Sequence, residues 1–308
     1  MTTRVSTVGS YNAVLANLMA AQQRQMAAGD KVATQKNGSD LKDYARNAEM
    51  LTAMRTVQAR LEVYTDQNKL IADKLTTQDA ALNQVADSAG ATRQSIADAI
   101  ASGRGDTLME DLQAQFRNAV EGMNARYAGK YLFAGGQIDN RPVTAGKLED
   151  LTAPLTVISD FFQNDGFRTQ AKIDDSTTVT TGVLADDIGT DLLTAYKAIQ
   201  AFHEATPFGG ELTPAQLTFL EGQLAVWDGV RADLTNATAR NGLVQKRVET
   251  VKADLTTREN TLAGMMGDIT DADMPLAATQ LQMAQMSVQA SAQVFLTLQE
   301  TSLLNFLR

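Results

Sequence analysis

No cysteine occurs in the 308 residues. That excludes disulfides and thiolate chemistry together and leaves the chain indifferent to the redox state of its surroundings. Histidine occurs once, as His203. Beside no recognisable serine or cysteine nucleophile motif it supports no catalytic triad, and an ordinary helical role is expected for it. Aromatic residues make up only 6% of a chain that is 44% hydrophobic and holds 12 Met but 1 Trp. Such a mixture suits slender helical packing, with methionine as filler in the helix seams. The prolines are Pro142, Pro154, Pro207, Pro214 and Pro275. Since interior proline breaks helices, long helices can run before residue 142 and between 214 and 275. The opening residues Met1-Thr2-Thr3-Arg4-Val5 hold no apolar run, and no cleaved secretory signal is expected.

Basic surface is also scarce. The net charge is -9, and acids outnumber bases between residues 141 and 215. An acidic middle argues against a nucleic-acid partner, whose phosphates need basic surface.

The stretch from Leu276 to Arg308 carries one acid, Glu300, and one base, Arg308. Ala277, Leu281, Ala284, Val288, Ser291, Phe295, Leu298 and Ser302 advance by alternating steps of four and three, which places them on one side of a helix. A second row, Leu276, Met283, Ala290, Thr297 and Leu304, repeats every seven. The apolar surface is therefore wider than one stripe. Six glutamines between 280 and 299 would be costly in lipid, so no membrane span is expected. The helix calls for partner helices instead.

At the other end, residues 5–35 are helical in composition, with Val14, Leu18, Ala21, Gln25 and Ala28 on one face. Asn37-Gly38-Ser39-Asp40 reads as a turn, with Ser39 or Asp40 as an N-cap. A sustained heptad follows: Met54, Leu61, Asn68, Leu75, Leu82, Ala89 and Ile96, with Val57, Tyr64, Ile71, Gln78, Val85, Thr92 and Ala99 alongside. It stops at Ser102-Gly103-Arg104-Gly105-Asp106, where Asp106 is expected to cap a helix reaching Tyr127. Leu220, Trp227, Leu234, Asn241, Val248, Leu255 and Leu262 form a matching heptad, flanked by Leu217, Leu224, Val244, Val251 and Met265. The two seams are expected to pair antiparallel, with Asn68 and Asn241 fixing their register. The fold class is thus mainly α: a long antiparallel helical rod or coiled coil built from both chain ends, with a small β-containing insert.

That insert is read at 141–190, which is rich in Thr, Asp and Gly. Leu155-Thr156-Val157-Ile158 and Thr177-Thr178-Val179-Thr180 are expected as short strands. The domain map is 1–42 with 270–308 as terminal assembly helices, 43–140 with 191–269 as a helical rod, and 141–190 projecting outward. Asp191 to Ala205 is a further helix.

Candidate chemistry is sparse. Asp268, Asp271 and Asp273 loosely resemble a cation loop but lack its Gly and closing Glu, so capping and solvation are expected. Asp174-Asp175 and Asp186-Asp187 read as loop acids, and Gly103-Arg104-Gly105 as a helix break. No catalytic, cofactor-binding or metal-ligating residue is assigned, no cofactor is expected, and the chain is not expected to be an enzyme.

Several stretches resemble the bacterial flagellin superfamily, and within it the hook–filament junction proteins (hook-associated protein 3). Arg4-Val5-Ser6-Thr7 is similar to the family's opening. Gly38-Ser39-Asp40 resembles its turn after the first helix, with Gly38 where a proline is usual. Gly129-Lys130-Tyr131-Leu132-Phe133-Ala134-Gly135-Gly136 is the most specific match, with Tyr131, Phe133, Ala134 and Gly135 as its motif. Asn241-Gly242-Leu243 through Val248-Glu249 is similar to a further family segment in which Val244 replaces an arginine. Asp268 to Asp273 resembles the link into the last helix, and Gln289 to Leu307 the family's C-terminus.

The resemblance implies a structural component of the bacterial flagellum that self-assembles at the hook–filament junction. It implies partners as well: copies of the chain itself, a neighbouring hook-associated protein, flagellin and an export chaperone. It also implies an extracellular location reached without a cleaved signal peptide. A filament flagellin and a cytosolic coiled-coil adaptor are the alternative readings. The assembly interface is expected at Val14, Leu18, Ala21, Leu281, Val288, Phe295, Leu298, Leu303, Leu304 and Phe306. Both chain ends are expected to be disordered in the monomer and helical only in the polymer.

Overall fold

The structure is a computed structural model that describes the backbone of residues 2–304 and the side chains of residue 9 and residues 11–298. It is mainly α. In chain order the elements are α1 (Thr2–Thr34), α2 (Ala48–Ser102), α3 (Leu108–Met123), β1 (Arg126–Tyr127), β2 (Lys130–Tyr131), α4 (Leu148–Leu151), β3 (Gln170–Lys172), β4 (Thr178–Thr180), α5 (Ala185–Ala205), α6 (Pro214–Thr270) and α7 (Met274–Leu304). Short 3-10 turns lie at Leu41–Tyr44 and Ile158–Phe161. Among the described residues, no helix is long and apolar enough to cross a membrane.

Two of the prolines, Pro214 and Pro275, sit where helices begin. Pro214 is the first residue of α6, a position whose N–H would have no helical partner in any case. Before it, Thr213 and Gln216 form a reciprocal cap: the Gln216 N–H donates to Thr213 Oγ1 at 3.3 Å and Gln216 Oε1 accepts from the Thr213 N–H at 2.8 Å, satisfying two end donors at once. Pro275 falls in the first turn of α7, where Asp273 Oδ1 accepts from the Leu276 N–H at 3.1 Å. Asp40 precedes the Leu41 turn as its N-cap, as expected. Asp106 does not cap α3. Thr107 stands at that position, while the Asp106 carboxylate accepts from the Gly210 N–H and from Arg104. The helix ends at Met123, short of Tyr127, because the chain turns there into β1.

The chain divides into two compact units, Met1–Leu61 with Thr257–Arg308, and Glu62–Thr256. This division differs from the three segments expected.

In the second unit α2 and α6 pair antiparallel. Arg93 meets Asp228 in a two-pronged ion pair, Gln78 meets Asn241, and Leu75 meets both Asn241 and Gln245. As one helix advances the other recedes, which is the heptad pairing expected. Leu75, Leu82, Val85, Ala89 and Ile96 are buried from one side, and Leu220, Trp227, Leu234, Val248 and Leu255 from the other. Onto this seam pack α3 and α5, closing a core around Phe116, Tyr196 and Trp227. The rings meet edge to face, Phe116 to Tyr196 at 5.3 Å and Tyr196 to Trp227 at 4.7 Å, the arrangement the ring quadrupoles favour. Thr92 Oγ1 uses its own proton on the Ser88 carbonyl, so at 2.7 Å the Tyr196 hydroxyl is the donor to it. Burial pushes the Tyr196 phenol well above its usual range.

The 141–190 segment forms no unit of its own. Val143, Leu148 and Leu151 are buried in the same core as Phe116 and Trp227. Asn124 holds Val143 through a pair of side-chain bonds, at 3.0 and 2.9 Å. The Thr177–Thr180 strand is present as β4, antiparallel to β3. Leu155–Ile158 is not a strand. Leu155 sits at φ 64 and is fully exposed, and the Asp160 carboxylate takes up the Val157 N–H to start a 3-10 turn. Asn68 does not fix the α2–α6 register; its amide donates 2.9 Å to the Ile173 carbonyl and anchors the β3–β4 hairpin.

Candidate assembly interface

In the first unit α1 and α7 lie antiparallel. The Tyr11 and Phe295 rings meet at 5.0 Å, tilted by 46°, Leu281 reaches Gly29, and the Gln35 carbonyl accepts from the Ala272 N–H. The expected rows face one another. On α1, Ala21 and Ala28 are buried and Val14, Leu18 and Gln25 half-buried; on α7, Ala277 is buried and Leu281, Ala284, Val288, Ser291, Phe295 and Leu298 half-buried. Small residues at Ala21, Ala28 and Gly29 let the two backbones approach closely. Leu303, Leu304 and Phe306, the rest of the expected interface, lie outside the residues whose side chains are described.

The structure therefore holds both ends as helices covering one another. Val14, Leu18, Ala21, Leu281, Val288, Phe295 and Leu298 form a seam within the chain, where a surface awaiting neighbours was expected. What stays uncovered is the second row, with Leu276, Met283, Ala290 and Thr297 all exposed. A matching stripe on α1, Tyr11, Leu15, Met19 and Met26, is exposed too. Its spacing of four, four and seven keeps it on one helix face. Methionine is thus not mainly seam filler: Met19, Met26, Met50, Met265, Met283 and Met286 are all exposed. Heptad spacing identified both rows of α7 but not which of them the chain would cover itself. Beside the seam runs a groove of about 320 Å³ lined by Arg24, Ala28, Lys31, Gln280, Met283 and Ser287.

The pair is clasped at its base. The Asn37 N–H donates to the Thr270 carbonyl at 2.8 Å and the Ala272 N–H to the Gln35 carbonyl at 2.9 Å. Lys36 bonds the Asp271 carboxylate, which that hydrogen bond first, and one from Thr270 second, hold below the ordinary carboxylate range. The Tyr44 hydroxyl accepts from the Gly38 N–H at 2.9 Å and reaches the Gly38 and Thr270 carbonyls. Asp271 and Asp273 are thus spent on a lysine and a helix cap. Among the described residues, no group of histidine, cysteine and acidic side chains could hold a metal ion.

The Gly129–Gly136 motif lies in the second unit and is a folding device. Ala128 and Gly129, at φ 49 and 81, make the β1–β2 turn, which needs left-handed backbone at both positions. The Arg126 guanidinium lies 4.1 Å above the Tyr131 ring and bonds its hydroxyl. Phe133 and Ala134 are fully buried, and the Phe133 carbonyl accepts from the Ala185 N–H at 2.9 Å at the start of α5. Gly135, at φ 66, lies against Asp165, whose carboxylate accepts from the Gly136 N–H at 2.7 Å. That bond and a second from the Phe167 N–H hold Asp165 below its usual range.

His203 lies in the last turn of α5, where Nδ1 accepts from the Phe208 N–H at 3.0 Å and the imidazole stacks on the Phe208 ring. It closes the α5–α6 loop. Asp187 pairs with Arg168, and Tyr64 donates to Asp175.

Residues 224–307 match the family model of the bacterial flagellin C-terminal helical region. No curated protein matches. Among solved structures, the chain is similar to a Vibrio parahaemolyticus protein described as flagellar hook-associated, at 15% identity and a TM-score of 0.61, over 74% of this chain and 100% of that one. It is similar to FlgL of Bacillus cereus, at 16% identity and a TM-score of 0.55, over 70% of this chain and 99% of that one. FlgL of Xanthomonas campestris gives 13% identity and a TM-score of 0.56, over 70% and 99%. At these identities the likeness is one of fold. The chain shares the architecture of flagellar hook-associated proteins and carries, over residues 224–307, the pattern of the flagellin C-terminal helices.

Proposed function

We propose that this chain is a structural component of the bacterial flagellum, acting at the hook–filament junction, where it joins copies of itself to a neighbouring hook-associated protein and to flagellin. Its role is mechanical attachment rather than catalysis. It reaches the cell exterior through the flagellar export route, with an export chaperone. The observation that carries this reading is the uncovered second row of α7. Leu276, Met283, Ala290 and Thr297 stand exposed on a helix with no acid or base from Met274 to Gln299. An apolar stripe of that length left in water favours a covering partner by roughly 25 cal/mol for each Å² it buries. The shared fold of hook-associated proteins supports a flagellar partner.

The test is electron microscopy of a strain lacking the gene. Bare hooks, with filament protein shed into the medium, are expected. Intact filaments on normal hooks would overturn the reading. Loss of the filament protein itself, rather than its attachment, would assign the chain to the filament.

A further inference from the structure

Methionine is distributed unevenly over the surface. Met19 and Met26 on α1 are 59% and 62% exposed, and Met283 and Met286 on α7 are 60% and 55% exposed. In the second unit, by contrast, Met123 is fully buried and Met109 half-buried. A thioether in the open is a two-electron reductant, whereas one sealed in a core is out of reach of an oxidant. We propose that Met19, Met26, Met283 and Met286 form a modification site for hydroperoxides, and that their conversion to sulfoxides prevents the α1–α7 pair from associating with further copies of the chain. The second half of this inference rests on the assembly reading above.

The step balances. A sulfur lone pair attacks one peroxide oxygen, the O–O bond breaks, and the S–O bond forms. The proton on the transferred oxygen passes to the departing oxyanion, which leaves as an alcohol or, from hydrogen peroxide, as water. Sulfur loses two electrons and the peroxide gains them. Each event replaces a flexible apolar side chain by a polar one. It does so on the faces that the α1–α7 seam leaves uncovered, so the seam itself survives. The consequence falls on whatever would cover Met283 and Met19, because a sulfoxide buried without a donor is penalised as any unpaired polar group is. Association in turn shields the sulfurs, so oxidation acts on the free chain and spares the assembled one.

The experiment treats the purified full-length chain with hydrogen peroxide and maps sulfoxides by peptide mass spectrometry. Self-association is followed in parallel by analytical ultracentrifugation. Met19, Met26, Met283 and Met286 should oxidise at least ~10-fold faster than Met123, and the oxidised chain should lose association while circular dichroism holds. Methionine sulfoxide reductases should restore it. The variant carrying M19L, M26L, M283L and M286L, compared with its own untreated state, should show the same association before and after peroxide. The variant with M50L and M265L, two exposed methionines outside α1 and α7, should stay sensitive. Uniform oxidation of all methionines, or undiminished association after oxidation of the four, overturns this inference alone. Failure of the untreated chain to associate would instead overturn the assembly reading.

Discussion

Asn241 accepts a hydrogen bond from Gln78 at 3.0 Å across the helix seam, and its own amide donates to the Leu75 carbonyl at 3.1 Å. Both side chains are buried, so the Gln78 amide N–H and the Asn241 oxygen find one another only when the two heptads meet in this register. Asn241→Leu strands the Gln78 amide and should cost about 1–3 kcal/mol. Adding Gln78→Leu should recover part of that loss. Urea unfolding followed by Trp227 fluorescence measures the coupling; strictly additive penalties would mean that the pair sets no register.

Gly135 tolerates no side chain. A Cβ there would fall 2.3 Å from Asp165 Oδ1 and 2.8 Å from the Asp165 carbonyl oxygen, at a φ of 66. Gly135→Val should therefore destabilise the second unit by about 1–3 kcal/mol, with a lowered urea midpoint. Gly129→Ala, at φ 81 but with open space around it, should cost about 1 kcal/mol. Equal penalties at the two positions would remove the steric argument.

An insert projecting outward at 141–190, as expected from composition, would be removable with little effect. The burial of Val143, Leu148 and Leu151 against the core of Phe116 and Trp227 reverses that expectation. Replacing the segment by a short linker should expose Trp227, shift its emission to the red and abolish cooperative unfolding. Milder truncation at Leu151→Ala should cost about 2–5 kcal/mol.

The clasp between Lys36 and Asp271 should weaken in acid. The folded protein holds the Asp271 carboxyl below its ordinary value of 3.8, so the unfolded chain takes up the proton first. The stabilisation is fully present above that ordinary value and is lost as pH falls through the folded one. Because both side chains are about half exposed, the effect is small and screened by salt. Hydrogen exchange at the Ala272 and Asn37 amides, corrected for intrinsic rates, should rise on acidification in the native chain. It should depend less on pH in Asp271→Asn. Identical profiles would remove the clasp from the account.

Much of this architecture is legible in the sequence because heptads survive translation into three dimensions. The row Leu220 to Leu255 is buried without interruption, and its partner row on α2 was found by the same period. Period alone does not name the partner of a face, which is why Leu281 and Phe295 read as surfaces for neighbours before their contact with α1 was seen. The core role of Val143, Leu148 and Leu151 left no periodic trace, since each is an isolated apolar residue among Thr, Gly and Asp. At Leu155–Ile158, β-branched residues suggested a strand, but the left-handed Leu155 and the carboxylate of Asp160 gave the backbone a better local partner. The Gly129–Gly136 stretch was legible only as a motif; that Gly135 lies against Asp165, distant in sequence, could not be read from it.

The paired backbone bonds at Gln35–Ala272 and Asn37–Thr270 give α1 and α7 a common root. Helices joined only by side chains could be peeled apart one at a time, but these two share a pivot. The rings of Tyr11 and Phe295 meet again at the far end, so the pair is tied at both ends. A molecule that grips α7 thereby acquires α1 as well, and torque applied to either helix is delivered to the same few residues around Tyr44.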